Sequence, residues 1–130
     1  MNPPNLERFP IHLGRGGRAV RQPAFDGMAW YAAYTERHGA DGSDGRLVQQ
    51  FSFGESWTSW ERHPAGDEVV ICTEGEITLF QELPEGTRSV TLRPGDYAIN
   101  PPGIWHTADI AGRATGLFIT VGWGTEHRPR

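Results

Sequence analysis

A chain of 130 residues suits one domain and is long enough to bury a real core. Its formal net charge of −4, from 12 Lys+Arg against 16 Asp+Glu, argues against a nucleic-acid-binding surface, which needs a basic field. One cysteine excludes an internal disulfide framework and a cysteine-rich zinc site. Seventeen Gly and ten Pro point to many tight turns rather than long helices, and five Trp, six Phe and three Tyr can supply an aromatic core. The first residues lack the apolar segment of a signal peptide, and no apolar run approaches the ~18 residues that span a bilayer. A cytoplasmic protein without membrane or nucleic-acid partners is the expectation.

Taken in order, residues 1–25 read as an irregular arm, broken by Pro3, Pro4, Pro10 and Pro23 and loosened by Gly14, Gly16 and Gly17. The run 14–19 has the loose Gly-x-Gly-x-x-Ala form of a dinucleotide fingerprint. It lacks the strand–turn–helix setting that motif requires, so a plain loop is expected there. Residues 30–36 read as a strand, although Ala33 and Glu36 also tolerate a helix. Residues 38–45 are a polar loop that carries an exposed His38. Residues 47–53 alternate as a strand, with Phe51 and Phe53 on one face. Short strands then follow at 57–63, 67–73, 76–81, 89–93, 96–99, 105–110 and 116–123, separated by Gly/Pro turns. Eight or nine such strands predict an all-β sandwich or barrel over 26–124, with a polar tail at 125–130.

The densest chemistry lies between Trp60 and Gly75. Side chains alternate faces along a strand, so Glu61 and His63 share a face while Trp60 and Arg62 point the other way. On the next strand Glu68, Val70 and Cys72 share a face, and His106 arrives from a distant strand. Two imidazoles with one or two carboxylates suit a first-row divalent metal. Each of these residues taken alone has a plainer reading, as a surface carboxylate, a turn residue or a core histidine. Trp57, Tyr97 and Trp105 border the same segments, where they either stack on a flat ligand or pack the core and rim. Cys72 reads as a small buried hydrophobe.

With these residues in view, the chain resembles the cupin superfamily. Glu61-Arg62-His63 occupies the place of the first motif's His-x-His pair, with Glu68 and Gly75 following at the motif's spacing. Gly95, Pro101, Gly103 and His106 match the second motif, and the likeness covers 54–110. The departures are Glu61 in place of a histidine, Gly54 one residue further upstream than usual, and Ile110 in place of an asparagine.

The resemblance implies a single all-β cupin barrel, a jelly roll or double-stranded β-helix, that holds a small ligand. It implies metal-ligand roles for His63, Glu68 and His106. Glu61 takes the fourth position by its own chemistry, as a ligand or as a general base. The expected cofactor is a divalent transition metal, one of Mn, Fe, Ni or Zn, with oxygen ligands tilting the site toward Mn or Fe. Three functions fit. The first is a metal-dependent dioxygenase, isomerase or decarboxylase on a small organic substrate. The second is a non-catalytic ligand-binding or sensor module with a structural metal or none. The third is a metal-free sugar-type isomerase or epimerase using His63 as base and Tyr97 as acid. The resemblance also implies a homodimer, with the 1–25 arm as the contact.

Overall fold

The computed structural model describes residues 2–130; Met1, the first residue of the expected arm, lies outside them. The elements in chain order are β1 (Ile11–Gly14), β2 (Arg18–Arg21), α1 (Trp30–His38), β3 (Arg46–Phe53), β4 (Ser59–Arg62) and β5 (Glu68–Glu74). They continue with β6 (Ile77–Leu83), β7 (Gly86–Leu92), β8 (Tyr97–Asn100), β9 (His106–Ile110), β10 (Ala114–Thr120) and β11 (Glu126–Pro129). A six-stranded sheet has the order β2-β1-β3-β10-β5-β8, and a five-stranded sheet the order β11-β4-β9-β6-β7. Every pairing is antiparallel. The two sheets form the expected cupin jelly roll.

Alternation along the strands builds the main core. Val70 and Cys72 of β5 pack with Ile77, Leu92, Ala108, Ile110, Ala114 and Phe118, and Phe51, Phe53 and Trp57 lie against that cluster. Cys72 is fully buried, as expected, and burial pushes its thiol pKa up. The turn from β5 to β6 needs Gly75. Its φ is +72°, and a Cβ there would sit 2.1 Å from the Arg113 carbonyl oxygen.

Four expectations give way. Residues 30–36 are helical, not extended. Trp30 and Tyr34 are four apart, which satisfies both a period of 2 and a period of 3.6. A strand would also have buried Ala32 and Glu36, which are exposed. Trp30 and Tyr34 stack at 5.3 Å between ring centroids and form a second core cluster with Leu47.

The arm expected to be irregular contains regular structure. Residues 11–21 make a hairpin whose β1 joins the edge of β3. Residues 14–19 are the bend of this hairpin, so no helix follows the glycines. The hairpin is anchored through buried His12, whose Nδ1 lies 2.6 Å from the Tyr34 hydroxyl and whose Nε2 lies 2.7 Å from Asp41. His38 is not a free loop histidine. It stacks on His12 at 4.0 Å and contacts the Gln22 amide at 2.9 Å. Finally, the polar tail is strand β11, paired with β4 from Glu126↔Arg62 to Pro129↔Ser59.

Candidate metal centre

Strand register carries Glu61, His63, Glu68 and His106 to one end of the barrel. Glu61 of β4 pairs directly with His106 of β9. His63 follows two residues after Glu61 on the same face, and Glu68 opens β5 across the short turn at 64–67. Donor atoms of Glu61, His63 and His106 lie within 4.8 Å of one another. Glu68 closes the group from below, with an oxygen 3.2 Å from His63 Nε2 and the other 3.2 Å from His106 Nε2. Glu61 stands further off, at 3.9 Å and 3.7 Å from the same two nitrogens. Both histidines and Glu68 are buried; the Glu61 side chain is 28% exposed and faces the opening.

The charges here are strongly coupled. Burial alone would raise the Glu68 pKa, but the imidazoles of His106 and His63 outweigh burial and hold it at about 2. Burial would lower the His106 pKa, but the carboxylates of Glu61 and Glu68 reverse this and lift it to about 9. Yet neither Nε2 is aligned for a hydrogen bond, although both are buried. Each lies 3.2 Å from a Glu68 oxygen and within 4 Å of Glu61. Such a set of nitrogen lone pairs and carboxylate oxygens fits a cation. Once both imidazoles give up their protons, as ligation requires, the two carboxylates leave a charge of −2, which a divalent ion balances.

Several side chains orient this group that the sequence reading did not single out. Asn100 of β8 donates to Glu68 Oε1 at 3.0 Å, and Gln81 of β6 donates to Asn100 Oδ1 at 2.8 Å. The His106 Nδ1 faces the Ile104 carbonyl at 3.4 Å, where it donates and leaves Nε2 as the inward atom. Thr125 Oγ1 lies 2.9 Å from His63 Nδ1, and His127 Nε2 lies 3.1 Å from Glu61 Oε1. Asn100 could have been suspected from its place just ahead of the second motif's Pro101. Thr125 and His127 carried no signal beyond alternate spacing in a segment that looked like a tail.

A cavity of about 380 Å³ opens onto Glu61, His63 and Glu68. Its walls include Phe25, Tyr31, Phe51, Phe53, Trp57 and Phe118, and none of the described residues lining it is arginine or lysine. Of the three aromatic residues singled out from the sequence, Trp57 lines this cavity, with its ring 6.2 Å from that of His106. The other two do not. Tyr97 is 65% exposed on β8, an edge strand, and borders a shallow depression elsewhere. Trp105 lies under the guanidinium groups of Arg62 and Arg128, at 4.5 Å and 4.6 Å, on the outer face of the five-stranded sheet. Parity explains this, because Trp105 directly precedes the inward His106 and so points outward.

Comparison with known proteins agrees with this architecture. No curated protein matches the chain. Among solved structures, a cupin superfamily protein from Desulfitobacterium hafniense DCB-2 matches with 24% identity and a TM-score of 0.50, over 58% of this chain and 66% of the other. A recombinant oxalate oxidase in complex with glycolate matches with 16% identity and a TM-score of 0.54, over 62% of this chain and 45% of that one. Hydroquinone 1,2-dioxygenase from Sphingomonas sp. TTNP3, with 4-hydroxybenzoate bound, matches with 20% identity and a TM-score of 0.50, over 58% of each chain. The present chain thus spans about half the length of the two enzymes, and identities this low speak for the fold. No helix among the described residues is long and apolar enough to cross a membrane. The family profile for the cupin domain matches residues 47–122, which hold the four converging side chains, and the chain belongs to the cupin family.

Proposed function

We propose that this cupin is a metal-dependent enzyme acting on a small organic molecule in the aromatic-walled cavity. The observation that carries the reading is the pair of buried Nε2 atoms, of His63 and His106, which face two carboxylates without a hydrogen-bond alignment to either. In this reading His63, Glu68 and His106 hold a divalent metal. When bound, the ion supplies Lewis-acid polarisation of a substrate oxygen.

The remaining roles belong to the chain. Glu68, buried and held by Asn100, keeps its charge fixed against the two imidazoles. Glu61 is the one carboxylate of the group that faces the opening, so it can either complete the ligand set or take a proton from the substrate. The aromatic walls bind an apolar or planar body and exclude water. With no arginine or lysine among the described lining residues, the pocket suits uncharged or weakly charged molecules better than phosphorylated ones. That favours an enzyme of the dioxygenase, isomerase or decarboxylase kind over a sugar-nucleotide epimerase. Tyr97, the acid that an epimerase would need, faces solvent away from the cavity.

The test is elemental analysis of protein purified without added metal and after reconstitution with Mn, Fe, Ni or Zn. The expected result is close to one equivalent in the wild type and a large loss in His106→Ala. Occupancy below about a tenth of an equivalent before and after reconstitution would sink the proposal, since a site of this donor type retains its ion at neutral pH. Glu61→Gln separates the two roles of that residue. Full occupancy with lost turnover assigns it as base, and lost occupancy assigns it as ligand.

A further inference from the structure

β11 supplies two side chains to the centre from one face. Thr125, just ahead of the strand, and His127 within it are two residues apart and share parity. Thr125 Oγ1 meets His63 Nδ1 at 2.9 Å. His127 is the cross-strand partner of Glu61, and its Nε2 meets Glu61 Oε1 at 3.1 Å. Each contact occupies one polar atom of a cluster residue and leaves the other facing the cluster. For His63 that other atom is Nε2, 3.2 Å from Glu68. For Glu61 it is Oε2, 3.7 Å from His106 Nε2.

The opposite face of the same strand is tied down independently. Arg62 donates to both carboxylate oxygens of Glu126, at 3.1 Å and 3.2 Å, and Arg128 pairs with Glu82. Arg130 donates to the carbonyl oxygens of Trp57 and Ala108 at 3.0 Å and 3.3 Å, and pairs with Asp109 at 2.6 Å. The strand is therefore held in register by groups that do not touch the cluster. Thr125 and His127 are presented from a fixed backbone.

We propose that Thr125 and His127 are positioning residues of the metal centre. Thr125 accepts the His63 Nδ1–H, which sets the imidazole tautomer with the Nε2 lone pair inward. His127 holds Glu61 Oε1, which turns Oε2 toward the two histidines. Both histidine ligand geometry and carboxylate orientation at metal sites depend on such outer partners. The proposal rests on the metal reading above for its consequence.

The test uses Thr125→Val, which keeps the shape and removes the hydroxyl, and Thr125→Ser, which restores it. His127→Phe and His127→Gln form the corresponding pair for Glu61, since glutamine can still donate. The first readout is the ¹⁵N NMR spectrum of the His63 ring in Zn(II)-loaded full-length protein. Wild type and Thr125→Ser should show the proton on Nδ1, and Thr125→Val should show a mixture or the other tautomer. The second is the metal dissociation constant, measured by chelator competition, with the visible spectrum of the Co(II)-loaded protein. Thr125→Val and His127→Phe should weaken binding roughly 10–100-fold and alter the Co(II) spectrum, and Thr125→Ser and His127→Gln should recover most of the loss.

An unchanged His63 tautomer in a folded Thr125→Val protein overturns the role of Thr125. Binding within twofold of wild type in His127→Phe overturns that of His127. If the wild type itself takes up no metal, the proposed function falls and this proposal with it; if the wild type binds metal and the variants match it in affinity and spectrum, this proposal alone falls.

Discussion

Replacing Glu68 by Gln keeps the side chain's size and removes its charge, which isolates the electrostatics of the cluster in the metal-free protein. The magnitude follows from the pKa. Glu68 drops from 4.5 to about 2 on folding, and a shift of about 2.5 units is worth about 3 kcal/mol at roughly 1.36 kcal/mol per unit. The sign is that of a depressed acid. The stabilisation is fully present above pH 4.5 and is lost as pH falls toward 2. On the alkaline side His106, raised from 6.5 to about 9, stabilises below pH 6.5 and loses its contribution as pH rises through 9. Both figures describe one charge interaction seen from its two partners, so they are not added. Urea unfolding of chelator-treated protein from pH 2.5 to 10 should give a dome that declines at both ends. Glu68→Gln should cost about 3 kcal/mol at pH 7 and flatten the acid limb. It should only reduce the alkaline limb, because Glu61 still faces His106. At the acid end the two proteins should converge. Parallel pH profiles for wild type and variant would refute the reasoning, since the stabilisation would then not reside in the Glu68 charge.

Other predictions follow from the same geometry. Asn100→Leu removes the 3.0 Å hydrogen bond to Glu68 and one of the two acceptors of the Gln81 amide; metal affinity should fall about tenfold, and unchanged affinity would remove Asn100 from the site's support. Gly75→Ala places a Cβ against the Arg113 carbonyl at a positive φ and should destabilise by roughly 3 kcal/mol or more, read as a lowered midpoint in urea; a neutral effect would mean the turn can rebuild. Tyr97→Ser should leave metal content and ligand binding unchanged, because its side chain faces solvent on an edge strand; altered binding would place Tyr97 at the site after all.

Much of the barrel was legible as alternation and turn chemistry. The pattern Glu68, Val70, Cys72 predicted one inward face of β5, and all three are buried. The second motif spaced Gly95, Gly103 and His106 around turns that the structure contains, and the first motif's Gly75 stands where only glycine fits. Local spacing failed where two periods coincide. Trp30 and Tyr34 suited a strand and a helix equally, and their packing on Leu47 and each other decided for the helix. It failed again at the ends. In 11–21 the buried residue is His12, not its apolar neighbours Ile11 and Leu13, and 126–129 has no apolar alternation; backbone pairing holds both, with His12 anchoring the first and Arg62–Glu126 the second.

The sequence by itself determined that Glu61 and His63 share a face, that Glu68 follows across a turn, and that a second motif ends in His106. Those are statements about neighbours along a chain, and strand geometry makes them reliable. Only the tertiary structure decided which distant groups complete the centre. Asn100 meets Glu68 as its cross-strand partner, Gln81 reaches Asn100 from the other sheet, and Thr125 and His127 reach His63 and Glu61 because β11 folds back onto β4. It also separated Trp57, which faces the cavity, from Trp105, which stacks under two arginines outside. The physical reason is the same in each case. A strand's own residues determine its two faces, but the partner it pairs with, and therefore what those faces meet, is set by contacts between segments far apart in sequence.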